Sequence, residues 1–236
     1  MPVYVITGTN RGLGLEFVRQ ISASKDNTVI AAVRTLQNDL TDLKSVNQHN
    51  NIHILECDTG NIASIAKFGA EVERVLAGTK IDYLVNNSGI NDTPEDSSLT
   101  MTPESLHRHI DINVLGPQKT AQVLVPLLAK DSVIVNMTSG LGSLNKSSTM
   151  EPRKCATYSV SKAALNMLTV HQAWDLRDKS RAVITMDPGW VKTRMGGAGA
   201  IMEPHDSIAG MLKIVHGLTK EDTCKFYEST GGQVMW

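Results

Sequence analysis

Short apolar runs rich in Val and Ile alternate along the chain with amphipathic stretches. The runs fall at residues 3–7, 28–33, 52–57, 81–86, 132–137 and 182–186. Each is strand length, and near-continuous hydrophobicity predicts strands buried on both faces. Between them, apolar positions recur at helical spacing over residues 13–23, 39–46, 62–76, 103–129 and 156–177. That spacing predicts helices with one face on a core. Strand alternating with helix implies a parallel sheet covered on both sides. Right-handed crossovers then favour a doubly wound α/β fold of the Rossmann type, a single domain over residues 1–236. Two stretches read as long loops. Residues 140–154 are rich in Ser, Lys and Asn, and residues 190–204 contain Met195-Gly196-Gly197-Ala198-Gly199-Ala200. Both follow the C-terminal ends of expected strands, where ligands bind in open α/β sheets.

Composition narrows the setting. Hydrophobic residues make up 41% and charged residues 20% of 236, so one large globular domain is affordable and no second is demanded. A formal net charge of −1 gives no reason to expect nucleic acid or an acidic membrane as partner. No apolar run is long enough to span a bilayer. Met1-Pro2 leads straight into an expected core strand, so no signal peptide is expected. Cys57, Cys155 and Cys224 are scattered and odd in number, with no disulfide framework or paired zinc motif. A reducing, cytoplasmic location is the expectation. His107 and His109 lie two apart on an expected helix and so point to different sides, which argues against a shared metal.

The glycine-rich turn Thr7-Gly8-Thr9-Asn10-Arg11-Gly12-Leu13-Gly14 lies between the first strand and the first helix. Lacking Cβ, Gly8, Gly12 and Gly14 permit a sharp turn and close backbone approach to a diphosphate. The following helix offers unpaired N–H groups and a positive dipole end to that anion. A glycine string alone is a weak signal; the strand before it and the helix after it strengthen it. An acid near the end of the second strand would favour NADH by binding the ribose 2′-hydroxyl. None stands there. Arg34 does, and Arg11 lies within the turn. Two guanidinium groups suit a 2′-phosphate, so NADPH/NADP+ is expected over NADH. Asp58, in Cys57-Asp58-Thr59 after the third strand, suits either the adenine amino group or the cap of the next helix.

Tyr158 and Lys162, in Tyr158-Ser159-Val160-Ser161-Lys162, share one helix face at a spacing of four. A free phenol ionises near pH ~10, too high for good proton transfer at neutrality. An ammonium at ~4 Å would favour the phenolate by up to about 4 kcal/mol at an effective dielectric of 20, roughly three pKa units. Taken alone, such a pair reads more readily as a packed aromatic and a solvated lysine.

The wider pattern decides between them. The fourth strand ends in Asn86-Asn87-Ser88-Gly89, and Asn113 stands in the long helix after it. The fifth ends in Asn136-Met137-Thr138-Ser139-Gly140-Leu141-Gly142, and the sixth leads into Asp187-Pro188-Gly189-Trp190-Val191-Lys192-Thr193. This ordered set resembles the short-chain dehydrogenase/reductase family over nearly the whole chain. Thr193-Arg194-Met195-Gly196-Gly197 and the tail Gly231-Gly232-Gln233-Val234-Met235-Trp236 resemble the C-factor and sniffer-like carbonyl reductases within it.

The resemblance implies roles. Ser139 matches the serine that bonds the substrate carbonyl oxygen; Thr138 lacks the Ser-x-x-Gly spacing to Gly142. Tyr158 is the general acid in reduction, Lys162 lowers its pKa and binds the nicotinamide ribose, and Asn113 holds a water of a proton relay. Asn86, Ser88 and Gly89 shape the pocket around adenosine and ribose, with Asn10, Arg11, Leu13, Asp58 and Thr59 also at the cofactor. Pro188, Gly189, Val191 and Thr193 hold the nicotinamide end. The implied protein is an NADPH-dependent carbonyl reductase acting on a small-molecule aldehyde or ketone, with the glycine-rich segment after Thr193 as a lid. A homodimer or homotetramer through the two long helices is implied too. The stretch from Ser139 to Tyr158 is longer than the family's usual pattern, with the extra residues beside the substrate. A non-catalytic nucleotide-binding regulator on the same fold is the alternative.

Overall fold

A computed structural model describes residues 1–151 and 154–236. Seven parallel strands run in the order β3-β2-β1-β4-β5-β6-β7. They are β1 (Val3–Thr7), β2 (Thr28–Val33), β3 (Ile52–Glu56), β4 (Ile81–Asn86), β5 (Leu128–Met137), β6 (Ser180–Asp187) and β7 (Phe226–Glu228). Alternate side chains along each strand feed two cores. Tyr4 and Ile6 of β1, with Val133, Val135 and Met137 of β5, meet Phe17, Val18 and Ile21 of helix α1 (Gly12–Ser22). The short α2 (Thr41–Ser45) and α8 (Pro204–Gly217) complete that layer through Leu43, Ile208, Met211 and Val215. On the other face, Val3, Val5 and Ile134 meet α3 (Ile62–Leu76) and α5 (Gly116–Leu124), and Ala173 of α7 (Ala156–Asp175) joins them.

Local chemistry sets the helix ends. Ile65, Phe68, Val72 and Leu76 form the buried stripe of α3. Asn61 starts that helix by accepting the Ser64 N–H at 3.1 Å, one of the four donors a helix start leaves unpaired. Ala77 ends it in the left-handed region (φ 47°), followed by Gly78 at φ 95°. Thr102 caps α4 (Pro103–Ile110), with Pro103 at the first position, where no N–H is missed.

Several sequence expectations are revised. Residues 103–129 are not one helix. After α4 the chain makes a π turn over Asp111–Leu115, resumes as α5, tightens over Val125–Leu127, and enters β5 at Leu128. Pro126 stops the helix because it has no N–H to continue the ladder. The loop at 140–154 is partly ordered as a tight turn, Gly140–Gly142, and helix α6 (Leu144–Ser147); Pro152 and Arg153 lie outside the described residues. Helix α8 and strand β7 were not expected. Three residues are too few for a periodicity signal, yet Phe226 is fully buried and β7 covers the edge of β6.

Candidate active site

The strand order reverses between β1 and β4, and a crevice opens there at the C-terminal ends. The glycine-rich turn lines it. Thr7 Oγ1 accepts the N–H groups of Asn87 (3.0 Å) and Ser88 (2.9 Å), and Asn87 Nδ2 donates to the carbonyls of Thr7 (2.8 Å) and Gly8 (3.2 Å). Gly8 sits at φ 71° and Gly12 at φ 57°. A Cβ on Gly8 would lie 2.8 Å from Ser88 Oγ, and one on Gly14 only 2.1 Å from the Gly8 carbonyl oxygen. On Gly12 it would stand 3.7 Å from Thr193 Cγ2. The turn, the end of β4 and the loop after β6 therefore converge.

No side chain caps α1, whose first N–H groups face this turn. Asn10 and Leu13 are half-buried in it, and Leu13 also packs on the core. Arg11 and Arg34 are exposed, and neither pairs with a carboxylate among the described residues. Asp58 does not cap α3, a role Asn61 fills; its Oδ1 instead accepts the Gly60 N–H at 3.0 Å. Thr59 is buried, its carbonyl pressed against Gly116 at the start of α5.

Asn86 departs from expectation. Its Nδ2 donates to Asn136 Oδ1 (2.8 Å), inside a buried network in which Asn136 donates to Thr169 Oγ1 and Gln172 Oε1, both at 2.8 Å. Asn86 thus ties β4 to β5 and α7, and its neighbour Asn87 meets the glycine turn. Strand alternation sends adjacent side chains to opposite faces. Neither Asn87 nor Asn136 stands out in the sequence, although both lie in the motifs at the ends of the fourth and fifth strands.

Tyr158, Ser139, Lys162 and Asn113 come together at the mouth of the crevice. Ser139 Oγ accepts the Leu141 N–H at 3.2 Å and lies near enough to the Tyr158 phenol to oppose its rise in pKa. Thr138 points away, donating to Asn166 Oδ1 at 2.6 Å in the interior. Lys162 Nζ lies 5.6 Å from the Tyr158 ring centroid and donates to the Met137 carbonyl at 2.7 Å. A Cβ on Gly89 would stand 3.2 Å from Asn113 Oδ1 and 3.4 Å from Lys162 Nζ, so only glycine leaves that space open. Asn113 lies in the π turn; its Oδ1 accepts the Ile90 N–H (2.8 Å), and its Nδ2 donates to Ile90 O (3.0 Å) and Ser161 Oγ (2.9 Å).

Burial dominates the electrostatics of the pair. Burial pushes the Tyr158 phenol well above its ordinary value, Asp187 adds to the rise, and the Ser139 hydroxyl opposes it. Lys162, 3% exposed, is itself pushed down to about 7 by burial. Desolvation disfavours both charges, and burial sets the direction of both shifts. Tyr158 is held protonated, and Lys162 titrates near neutrality.

Beyond β6, Gly189 adopts φ 80° and its N–H donates to Asp187 Oδ1 at 3.0 Å. The Pro188 carbonyl accepts the Ser207 and Ser229 hydroxyls. Val191 is buried and bridges Met202 across residues 190–204. Trp190 pins that segment, its indole N–H reaching the Gly196 carbonyl at 2.7 Å. Met202 packs over Gly189, whereas Met150 and Met195 are exposed. Cys155 starts α7 at φ 60°, its sulfur 3.1 Å from the Pro94 carbonyl. His109 is buried and His107 exposed, on different sides of α4. Among the described residues no helix is long and apolar enough to cross a membrane.

A doubly wound Rossmann-type sheet, a glycine cradle at its switch point and a Ser–Tyr–Lys group beside it define an oxidoreductase class. The chain matches the short chain dehydrogenase family over residues 2–202. It belongs to that family and is one of its oxidoreductases. An uncharacterized oxidoreductase of Schizosaccharomyces pombe is 30% identical over 250 residues, covering 97% of this chain and 96% of the relative. The NADPH-bound carbonyl reductase from chicken fatty liver superposes with a TM-score of 0.93 at 28% identity, over 100% of both chains. The carbonyl reductase Sniffer of D. melanogaster gives 0.91 at 27%, again over 100% of both.

Proposed function

We propose that the protein is an NADPH-dependent carbonyl reductase that converts an aldehyde or ketone to an alcohol. The observation that carries this reading is the grouping of Ser139, Tyr158 and Lys162 beside the glycine cradle. The likeness to an NADPH-bound carbonyl reductase supports it. The residues present fit the dinucleotide: Cβ atoms would fill the cradle at Gly8 and Gly14, and α1 begins without a side-chain cap. Gly8, Asn10, Gly12, Leu13 and Gly14 would hold its diphosphate, and Arg11 and Arg34 a 2′-phosphate. Asp58, Thr59, Ser88 and Gly89 would border adenosine and ribose, and Pro188, Gly189, Val191 and Thr193 the nicotinamide end. When bound, the nicotinamide supplies the hydride that reduces the carbonyl carbon.

The chain's own groups manage the oxygen and its proton. The Ser139 hydroxyl donates to the carbonyl oxygen and polarises it. Tyr158 gives the phenolic proton to that oxygen as it becomes an alkoxide, and burial holds the phenol in the protonated state this step needs. Lys162, with a pKa of about 7, returns a proton to the tyrosinate. Asn113 keeps Ile90, and with it the wall containing Gly89, in place. The homo-oligomer expected from the long helices finds support in Val160, Met167 and Trp174, exposed one heptad apart on α7.

The test is consumption of NADPH and NADH by the purified protein over aryl ketones, α-diketones, keto esters and aldehydes. Turnover with NADPH that falls by about 100-fold or more in Tyr158→Phe is expected, the usual scale for a lost general acid. Equal turnover by Tyr158→Phe would overturn the mechanism, and faster turnover with NADH the part given to Arg11 and Arg34. NADPH binding without turnover on any carbonyl would favour a non-catalytic regulator.

A further inference from the structure

Residues 90–96, after β4, form a strap from Asn113 to the start of α7. Asn113 holds both backbone groups of Ile90. Asp92 pairs with Arg108 of α4 at 2.9 Å and lies 3.4 Å from His109 of the same helix. Thr93 Oγ1 stands 3.2 Å from Ser105 Oγ, also on α4, and donates to Asp96 Oδ2 at 3.2 Å. The Asp96 N–H closes a turn onto the Thr93 carbonyl at 3.2 Å. The strap thus fixes the Asp96 carboxylate against α4. At the far side stands the start of α7, which has no cap of its own. Cys155 occupies the capping position at φ 60°, and its thiol donates to the Pro94 carbonyl at 3.1 Å instead. Asp96 takes over that role. Its Oδ2 accepts the Thr157 N–H at 3.2 Å and also the Thr157 hydroxyl, and its carbonyl accepts the Ala156 N–H at 3.5 Å. Thr157 is fully buried, so water has no access to replace these bonds.

We propose that Asp96 is a positioning residue for Tyr158: it caps α7 from outside the helix and so holds the turn that carries the phenol in register with Ser139. This rests on the reading of Tyr158 as the acid. Tyr158 is the third residue of α7. It lies in the first turn, where N–H groups lack partners within the helix and fraying begins. One turn further the helix has other anchors, Lys162 on the Met137 carbonyl and Ser161 on Asn113. The Asp96 carboxylate also meets the positive end of the helix dipole. Because Thr93 and Asp92 tie the strap to α4, the acid is registered to the same helix that leads into Asn113. A displacement of about 1 Å at a reacting group costs up to about 100-fold in rate, so a frayed first turn would be felt in the chemical step.

The experiment compares the wild type with Asp96→Ala, Asp96→Asn and Asn61→Ala, the last removing the cap of α3 instead. Hydrogen exchange over residues 156–162 needs no turnover. Asp96→Ala should speed it by about fivefold or more, the scale of a lost cap. Asp96→Asn should leave it at the wild-type rate, since an amide oxygen caps as well as a carboxylate. Asn61→Ala should loosen α3 alone. The second reading is kcat at saturating NADPH on a carbonyl that the wild type reduces. Asp96→Ala should lose about tenfold or more while its KM for NADPH stays within about twofold. Asp96→Asn should stay within about threefold of the wild-type kcat, and Asn61→Ala should match it, although both alanine variants melt about 2–4 °C lower. Unchanged exchange in Asp96→Ala, faster exchange with full kcat, no rescue by Asp96→Asn, or an equal kcat loss in Asn61→Ala would overturn the proposal. Undiminished turnover in Tyr158→Phe, or no wild-type turnover on any carbonyl, would remove the reading beneath it, whatever the exchange rates show.

Discussion

Gly14→Ala tests the cradle directly. A Cβ there would lie 2.1 Å from the Gly8 carbonyl oxygen and 2.7 Å from Asn87 Nδ2, where ordinary contact begins at 3.4 Å. The obstacle is backbone, so the Gly8 peptide must retreat by more than 1 Å and stretch the 3.2 Å bond from Asn87. Overpacking of this kind costs about 1–3 kcal/mol, and a lost hydrogen bond adds about 1, so roughly 2–4 kcal/mol is expected. For a chain of this size that lowers Tm by roughly 5–15 °C. NADPH affinity should fall by about tenfold or more, because the shifted peptide forms the wall of the proposed diphosphate site. The assay is thermal unfolding with and without NADPH, plus direct binding. Gly217→Ala is the control: that glycine has nothing within 4 Å of a Cβ and no positive φ, so its variant should be unchanged or slightly more stable. If Gly14→Ala melted with Gly217→Ala and bound NADPH as well, the close approach would not be what requires glycine.

Two further outcomes follow from the buried polar groups. Asn136→Leu strands Asn86 Nδ2 and Gln172 Oε1, while Thr169 Oγ1 keeps its bond to the Leu165 carbonyl; it should cost about 2 kcal/mol or more in urea unfolding, and a loss below about 1 would show that the network carries little stability. Lys162→Met should stabilise the protein at pH 7. The folded lysine has a pKa of about 7 against 10.5 unfolded, so between those values the unfolded chain binds the extra proton and wild-type stability rises with pH. The variant's advantage, a few kcal/mol at pH 7, should therefore shrink as pH rises toward 10.5. A constant difference from pH 7 to 10 in urea unfolding would show that burial does not set this pKa.

Where the sequence reading went astray, the cause was contact between distant segments. Residues 103–129 keep helical apolar spacing, and although Gly116-Pro117 interrupts the ladder locally, it does not by itself fix where Asn113 points. The π turn brings Asn113 to bond both the N–H and the carbonyl of Ile90, a partner 23 positions away. Asn86 and Asn87 are the same residue type side by side, and only their placement sends one into the β4–β5 interior and the other to the glycine turn. The Tyr158–Lys162 spacing brought the two side chains to one face, as helical geometry requires. Its net electrostatic consequence depends on how much water remains around them, and near-complete burial disfavours both charged forms.

By itself the sequence determined what depends on local pattern. Apolar runs of strand length alternating with amphipathic helices specify the doubly wound sheet, because period and burial are written in the residue types. The glycines, the Tyr-x-x-x-Lys pair and the Asp187-Pro188-Gly189 run lie at strand ends, where that fold exposes its crevice. The tertiary structure alone decided which neighbours each polar group meets. Asp187 is the clearest case: Lys146 and Gly140, both from the segment after β5, close on its carboxylate. Charge and hydrogen bonding act over a few ångströms of space, and sequence separation says nothing about that distance until the chain has folded.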